Sequence, residues 1–82
     1  MGRASKKTPA NFSRNARILA GNVRRLRQEA GLSQDGLAEA AKVRQALISE
    51  VELGEANPTL ESLTKIANAL KIPVANLFGD KQ

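Results

Sequence analysis

Apolar residues recur at steps of three and four along most of this chain, and no segment alternates steadily between apolar and polar positions. Such steps place residues on one face of an α-helix, so the pattern predicts amphipathic helices rather than strands. The longest apolar stripe predicts a first helix and consists of Ala16, Leu19, Ala20, Val23, Leu26 and Ala30. Gly31 follows the stripe and suits a helix end, because glycine adopts a positive φ without steric cost.

Four shorter apolar stripes follow, and residues that begin or end helices separate them. Ser33 and Thr59 are favoured N-caps, and Pro58 cannot continue a preceding helix. Gly54 closes the third stripe, and Pro73 stands at the head of the last. In chain order the inner faces are Leu37, Ala38 and Ala41; Val43, Leu47, Ile48 and Val51; Leu60, Leu63, Ile66, Ala67 and Leu70; and Val74, Leu77 and Phe78.

The lengths of these segments indicate one domain with one core. None of the five helices can bury its stripe alone, so the sequence predicts an all-α fold, a compact five-helix bundle over residues 12–82. The residues before Phe12 are polar and without hydrophobic period, which predicts a flexible basic arm over residues 1–11. The start of the first helix is open, because Thr8–Pro9, Asn11 and Ser13 each offer a favoured cap.

Composition argues against several kinds of site. The 82 residues include no cysteine and no histidine, which excludes disulfides, thiolate metal sites and imidazole acid–base chemistry. The carboxylates show no convergent spacing, and Ser33 and Ser49 have no base to activate them. We therefore expect neither an enzyme nor a metal or cofactor site. No apolar run reaches the roughly 18 residues of a membrane span, so we expect a cytoplasmic protein without membrane contact.

Charge is distributed unevenly along the chain. Residues 1–27 carry eight basic side chains and no acid, whereas the other 55 residues carry five bases and eight acids. This asymmetry favours a polyanionic partner for the first third of the chain. The alternative is a solvated basic tail without a partner.

The segment from Gln34 to Leu53 carries the functional signal. It predicts two helices of about eight residues, joined by a short turn around Lys42, Val43 and Arg44. Ala38 supplies the small side chain that closely packed helices need. This arrangement resembles the helix-turn-helix of DNA-binding proteins, whose second helix enters the major groove.

The resemblance extends from about Leu19 to Phe78 and is specific: the chain resembles the Cro/repressor-type, or XRE, helix-turn-helix family. The matching residues are Arg27, Gly31–Gln34, Leu37–Ala38, Ile48–Ser49, Glu52, Gly54, Asn57–Leu60, Leu63, Ile66–Ala67, Leu70 and Leu77–Phe78. The family implies a lambda-repressor-like DNA-binding domain and a transcriptional regulator, either a repressor or an autoregulator. An alternative is an antitoxin, or another interaction module, whose main role is to bind a toxin or other protein partner.

The resemblance also implies contacts with double-stranded DNA. Gln34 would bind a phosphate, and the outer face of the second helix of the motif would read base edges. That face comprises Gln45, Ala46, Ser49 and Glu50. Glutamine pairs with adenine and a carboxylate accepts from cytosine. On composition alone, these positions could instead form a solvated polar face. Leu47 is ambiguous between the core and a thymine contact, and the core is favoured.

Glu50, Glu52 and Glu55 make the region of the third helix acidic and repel phosphate, so other basic or polar positions would have to bind the DNA backbone. The candidates are Lys42, Arg44, Asn57 and the arm residues Arg3, Lys6 and Lys7. Lys42 stands where the family commonly has glycine, which favours a turn of different geometry. Arg44 stands where a hydroxylated cap is common, and Gly36 stands where a capping glutamate is common.

Two pairs of residues are implied to have architectural roles. Arg27 and Glu52 would form an ion pair between the first helix and the end of the third. Val74 and Phe78 are candidates for the interface of a homodimer that binds a pseudo-palindromic operator, although both could instead complete the monomer core.

Overall fold

The computed structural model describes residues 8–79 and is helical, which confirms the predicted all-α class. Its elements are α1 (Phe12–Glu29), α2 (Gln34–Ala41), α3 (Gln45–Glu52), α4 (Leu60–Leu70) and a short 3-10 helix (Val74–Leu77). The fifth predicted helix is thus a single 3-10 turn. The arm residues Arg3, Lys6 and Lys7 lie outside the described residues.

The ends of α1 follow from its flanking residues. Of the three candidate caps, Asn11 holds the N-cap position, with a φ of 70° and no hydrogen bond from its side chain to the helix. At the other end Gly31 has a φ of 74°, and the amide of Leu32 donates to the carbonyl of Arg27 at 3.0 Å. The predicted glycine stop is therefore confirmed.

Side-chain caps start two of the other helices where the sequence predicts them. The Ser33 hydroxyl accepts from the amide of Gly36 at 2.9 Å, and the Thr59 hydroxyl accepts from the amide of Ser62 at 3.0 Å. Arg44 holds the N-cap position of α3 but makes no capping hydrogen bond. These caps fix where α2 and α4 begin.

Lys42 corrects one expectation. Its φ of 61° and ψ of 44° are those that a glycine would adopt at a helix C-terminus, and the amide of Val43 donates to the carbonyl of Ala38. The turn before α3 thus keeps the geometry of the glycine-containing turn, and the expectation of a different geometry is wrong. The hydrogen bonds of the helix end hold Lys42 in a left-handed conformation that costs about 1–2 kcal/mol for a residue with a Cβ.

One core lies between all five elements. Its largest fully buried side chains are Val23, Leu37, Ile48, Val51, Ile66 and Leu77. Most of the predicted α1 stripe is buried or half-buried, but Ala30 at its end is exposed. Ala38 is buried, as the close packing of α2 requires.

The sequence pattern misses one buried polar residue, Asn22, on the inner face of α1. Its side-chain amide donates to the carbonyls of Leu77 and Gly79, both at 2.9 Å. Carbonyl groups at the end of a short helix lack partners within the helix. Asn22 satisfies the carbonyl of Leu77 at the end of the 3-10 helix and that of Gly79 two residues beyond it, and thereby attaches the C-terminal 3-10 helix to α1.

None of the helices in residues 8–79 combines the length and apolar character that a membrane crossing requires.

Candidate nucleic-acid interface

The unit formed by α2, the turn 42–44 and α3 has one buried and one exposed side. Ile48 and Val51 of α3 are 0% and 1% exposed and face the core. Leu47 and Val43 are half-buried and pack against the same core, in agreement with the favoured core position for Leu47. The buried side fixes the rotation of α3 about its axis, and this determines which side chains remain outside.

The outer face of α3 contains the residues that the sequence predicts to contact bases. Gln45, Ala46 and Glu50 are exposed, and Ser49 is half-buried. Positions i, i+1, i+4 and i+5 share one side of a helix, so these four residues form one continuous surface. We call this surface the α3 face. Its side chains offer amide, hydroxyl, carboxylate and methyl groups, which are the groups that distinguish base edges in a major groove.

A basic groove lies beside the α3 face. It is lined by Lys42, Val43, Arg44, Leu47, Asn57, Pro58, Thr59, Ser62 and Lys65. The lining contains three cationic side chains and no acidic one. The structure thus brings Lys42, Arg44 and Asn57 together, as phosphate contacts beside the α3 face would require. Lys65 of α4 was missed, because its apolar neighbours Leu63 and Ile66 mark it only as a solvent-facing position of a helix.

The ion pair between Arg27 and Glu52 is present. The Nε of Arg27 lies 2.6 Å from Oε2 of Glu52, and its Nη2 lies 3.1 Å from Oε1. The Glu52 side chain is 0% exposed and that of Arg27 is 13% exposed. Arg27 also donates from Nη1 to the carbonyl of Leu32 at 2.8 Å. One guanidinium thereby joins α1, the start of α2 and the end of α3.

The surroundings of Glu52 keep its carboxylate ionised. Burial alone would raise the pKa of Glu52, but hydrogen bonds from Arg27 and Gln34 and the charges of Arg27 and Arg24 outweigh burial and lower the pKa below its ordinary value. The hydrogen bond to Glu52 in turn raises the pKa of Arg27. The pair is therefore fully charged at neutral pH.

Gln34 has partners that the sequence analysis missed. Its Nε2 donates to Oε1 of Glu52 at 3.0 Å, and its Oε1 accepts from Nε2 of Gln45 at 3.2 Å. Arg24, which is half exposed, adds its Nε at 3.5 Å from the same carboxylate oxygen of Glu52. Helical periodicity places each of these residues on its own helix but carries no information on contacts across the turn. The Nε2 of Gln34 keeps a second N–H, which is compatible with the predicted phosphate contact.

The two dimer candidates differ in exposure. Val74 is half-buried and packs against the core, whereas Phe78 is 39% exposed. Phe78 lies at a shallow apolar pocket that Phe12 and Pro58 also line. Phe78 therefore retains apolar surface that a second molecule can cover.

A family model for a helix-turn-helix, HTH_3, matches residues 23–77, a range that contains the α2–turn–α3 unit and the basic groove. The chain belongs to this HTH_3 helix-turn-helix family. The membership agrees with the resemblance to Cro/repressor-type proteins on which the site prediction depends.

Curated relatives are named as regulators. The chain is 37% identical over 67 residues to the HTH-type transcriptional regulator SutR of Escherichia coli, covering 82% of this chain and 38% of that protein. It is 43% identical over 61 residues to the control protein C.SmaI of Serratia marcescens, covering 74% of this chain and 73% of the relative. The chain thus spans less than half of the first relative and about three quarters of the second.

Solved structures share the fold. The restriction-modification controller protein C.AhdI from Aeromonas hydrophila superposes with a TM-score of 0.76 at 32% identity, over 79% of this chain and 98% of that one. An HTH_3 family transcriptional regulator from Vibrio cholerae superposes with a TM-score of 0.77 at 31% identity, over 82% of this chain and 38% of that one.

Proposed function

We propose that this protein is a sequence-specific regulator of transcription that inserts α3 into the major groove of double-stranded DNA. The observation that carries the proposal is the α3 face: Gln45, Ala46, Ser49 and Glu50 stand on the outside of a helix whose other side is buried. A helix exposed in this way can enter the major groove, which is about 12 Å wide, while its buried side stays packed against the protein core.

The basic groove supports the same orientation. Lys42 and Arg44 precede α3, and Lys65 lies on α4 beside them, so phosphates that flank the major groove would meet cations when the α3 face meets bases. Glu50 weakens phosphate binding in general, and its carboxylate selects cytosine edges. Phosphate contacts then supply affinity, and the α3 face supplies the choice of sequence.

A second copy of the chain and the N-terminal arm complete the proposed assembly. A single α3 reads only a few base pairs, and two copies related by a two-fold axis would place their α3 helices about 34 Å apart on a pseudo-palindrome. Exposed apolar surface at Phe78 supports a homodimer. The arm over residues 1–11 would lie along the DNA, with Arg3, Lys6 and Lys7 on phosphates. A regulator of this kind in a bacterial cell works in the cytoplasm.

Selection of bound duplexes from a random pool tests the proposal. We expect the wild-type protein to enrich a two-fold symmetric motif at moderate salt. Glu50→Ala should change base preference at one position of each half-site, because a bidentate or charged base contact contributes about 1–3 kcal/mol of discrimination. Enrichment of no motif, together with weak binding to every duplex at low salt, would overturn the proposed function.

A further inference from the structure

The buried amide of Asn22 holds the chain on both sides of Phe78. Asn22 is 6% exposed, and its Nδ2 donates to the carbonyl of Leu77 and to the carbonyl of Gly79, both at 2.9 Å. Phe78 lies between these two residues and is 39% exposed. We call Asn22 and the two carbonyl groups the C-terminal clamp.

The neighbours of the Asn22 amide fix its orientation. Arg25 donates from Nη2 to Oδ1 of Asn22 at 3.1 Å, so Nδ2 must face the two carbonyl groups. A reversed amide would place its oxygen against two carbonyl oxygens and its NH2 group against a guanidinium, which only donates. Asn22 therefore satisfies all three partners in one orientation.

The backbone at Phe78 depends on the C-terminal clamp because its local hydrogen bonds are weak. The amide of Phe78 donates to the carbonyl of Ala75 at 3.1 Å, and the amide of Gly79 donates to that of Asn76 at 3.4 Å, which is long for such a bond. Both bonds belong to the end of a four-residue 3-10 helix, a type of helix with poor hydrogen-bond geometry. Leu77 is fully buried before Phe78, and the bond from Asn22 to Gly79 fixes the chain after it.

Core packing by itself does not require an amide at position 22. Leu19 and Val23, on the same inner face of α1, are apolar. Burial of a polar side chain costs free energy that its hydrogen bonds at best offset. What the amide adds over an apolar side chain of similar shape is a fixed course for the backbone that carries Phe78.

The surface around Phe78 offers both an aromatic ring and a pocket for one. The pocket has a volume of about 200 Å³ and is lined by apolar side chains that include Phe12, Leu19 and Pro58. An apolar cavity of about 150 Å³ accommodates benzene. A two-fold axis brings the same patch of two copies together, so the ring of each copy can enter the pocket of the other.

We propose that Asn22 is a positioning residue for the homodimer: it holds Phe78 in the orientation in which its ring enters the pocket of a second copy of this chain. This inference rests on the proposed homodimer. A contact that is ordered beforehand loses less conformational entropy on association than a mobile one. Ordering the backbone of one residue costs about as much as a tenfold change in an equilibrium constant.

Asn22→Leu tests the clamp, because leucine keeps the approximate shape of the side chain and removes both donors. In sedimentation equilibrium, we expect the dissociation constant of the homodimer to rise about tenfold. Val51→Ala is the control for a general loss of stability, since Val51 is a buried side chain of α3 that makes no hydrogen bond. It should lower the melting temperature and change the dissociation constant by less than about twofold.

A double variant shows whether Asn22 acts through Phe78. Phe78→Ala removes the ring and should itself weaken the homodimer. In that background Asn22→Leu should cause no further change, because the clamp then has no ring to position. If Asn22→Leu weakens the dimer as much without the ring as with it, the role assigned to Asn22 is wrong.

A measurement on the monomer tests the clamp itself. In nitrogen-15 relaxation at low protein concentration, Asn22→Leu should lower the order parameters of the Phe78 and Gly79 amides to those of flexible backbone, below about 0.6. Val51→Ala should leave both amides rigid. If thermal denaturation shows that Asn22→Leu is unfolded, Asn22→Ser carries both tests, since a hydroxyl can donate one hydrogen bond but not two.

The outcomes separate this inference from the proposed homodimer. If wild type dimerises and the folded Asn22 variant dimerises as tightly, the inference fails and the homodimer stands. Rigid Phe78 and Gly79 amides in the variant overturn the clamp as well. If wild type stays monomeric at every concentration, the homodimer fails, and the role of Asn22 in it fails too, even where relaxation shows that Asn22 orders the chain.

Discussion

Four nitrogen atoms lie within 3.5 Å of the Glu52 carboxylate: two from Arg27 and one each from Gln34 and Arg24. A buried carboxylate with this many donors is stable in its ionised form, but the loss of a donor would leave part of its buried charge uncompensated. Arg27 and Arg24 lie on α1, and Gln34 is the first residue of α2. The packing of α1 and α2 against α3 is therefore coupled to the ionisation of the Glu52 side chain.

Arg27→Ala should lower the free energy of unfolding by about 3–5 kcal/mol, because it leaves a buried charge without its main partner. Arg25→Ala is the matched control. Arg25 lies on the same helix, is partly exposed, and pairs with Glu29 at 3.5 Å and with Asn22 at 3.1 Å, so its loss should cost about 1 kcal/mol or less. Urea denaturation of both variants measures the difference. Equal midpoints would contradict the role of Arg27.

The lowered pKa of Glu52 makes stability depend on pH in one direction. Its contribution is complete above the ordinary glutamate pKa of about 4.3 and is lost as the pH falls through the lower pKa of the folded state. Denaturation midpoints of wild type should therefore fall more steeply below about pH 4 than those of Glu52→Gln, which has no group to protonate at this site. Parallel pH profiles for the two proteins would show that Glu52 has no lowered pKa.

At the scale of elements, the helix ends show which local rules dominate. Ser33, Thr59 and Gly31 act as the sequence predicts, because each supplies a cap or a positive φ that few other residues supply as well. Lys42 and Lys71 adopt positive φ without being glycine. The packing of the flanking helices overrides the backbone preference of these lysines.

Lys42→Gly should stabilise the protein by about 0.5–1 kcal/mol, since relief of the left-handed conformation exceeds the larger entropy of glycine in the unfolded chain. Lys42→Ala removes the same charge but keeps a Cβ, and it should give no such gain. Thermal denaturation of the two variants compares them directly. A Lys42→Gly variant no more stable than Lys42→Ala would show that the turn is not strained.

The helices and the core could be predicted from the sequence because period and capping are local signals. The burial of Asn22 and the hydrogen bonds of Gln34 with Glu52 and Gln45 could not, because both depend on contacts between segments that are separated in sequence: Asn22 lies 55 residues from Leu77. The ion pair of Arg27 with Glu52 was anticipated through family resemblance alone. Spacing places Ala30 on the α1 stripe and Leu60 on the α4 stripe, but both predictions are wrong: each residue lies at an end of its helix and is exposed, Leu60 to 71%.

At the scale of the whole molecule, the cationic side chains and the exposed Phe78 lie at two different pockets that adjoin each other at Asn57 and Pro58. The basic groove carries three cationic side chains, whereas Phe78 lies at a pocket lined by apolar residues and the two amides of Asn15 and Asn57. This arrangement suits a protein whose proposed DNA-binding surface adjoins the surface proposed to bind its own copy.

Deletion of residues 2–8 should weaken DNA binding and reduce its dependence on salt. The deletion removes Arg3, Lys6 and Lys7, and each lost phosphate contact lowers the slope of log K against log salt by about 0.9. Binding titrations at several salt concentrations against one selected duplex measure the slope. An unchanged affinity and slope would show that the arm makes no contribution.

Phe78→Lys should shift a homodimer toward monomer, because it places a charge in the proposed apolar interface. Leu53→Lys is the control, since Leu53 is 61% exposed, lies at the end of α3 and does not line that pocket. Sedimentation equilibrium over a range of protein concentrations gives the dissociation constants. A monomeric wild-type protein at high concentration would count against a dimer formed before DNA binding.

The hydrogen bond between Gln45 and Gln34 has a consequence for attempts to retarget this domain to new DNA sequences. The side chain of Glu50 is exposed and has no hydrogen-bond partner within residues 8–79, so it can be exchanged on its own to alter preference at the base it is proposed to face. Gln45 cannot be exchanged independently in this way, because its side chain donates a hydrogen bond to Gln34. A replacement there has to donate to Gln34 or be accompanied by a change at Gln34, so a successful library would vary positions 34 and 45 as one unit.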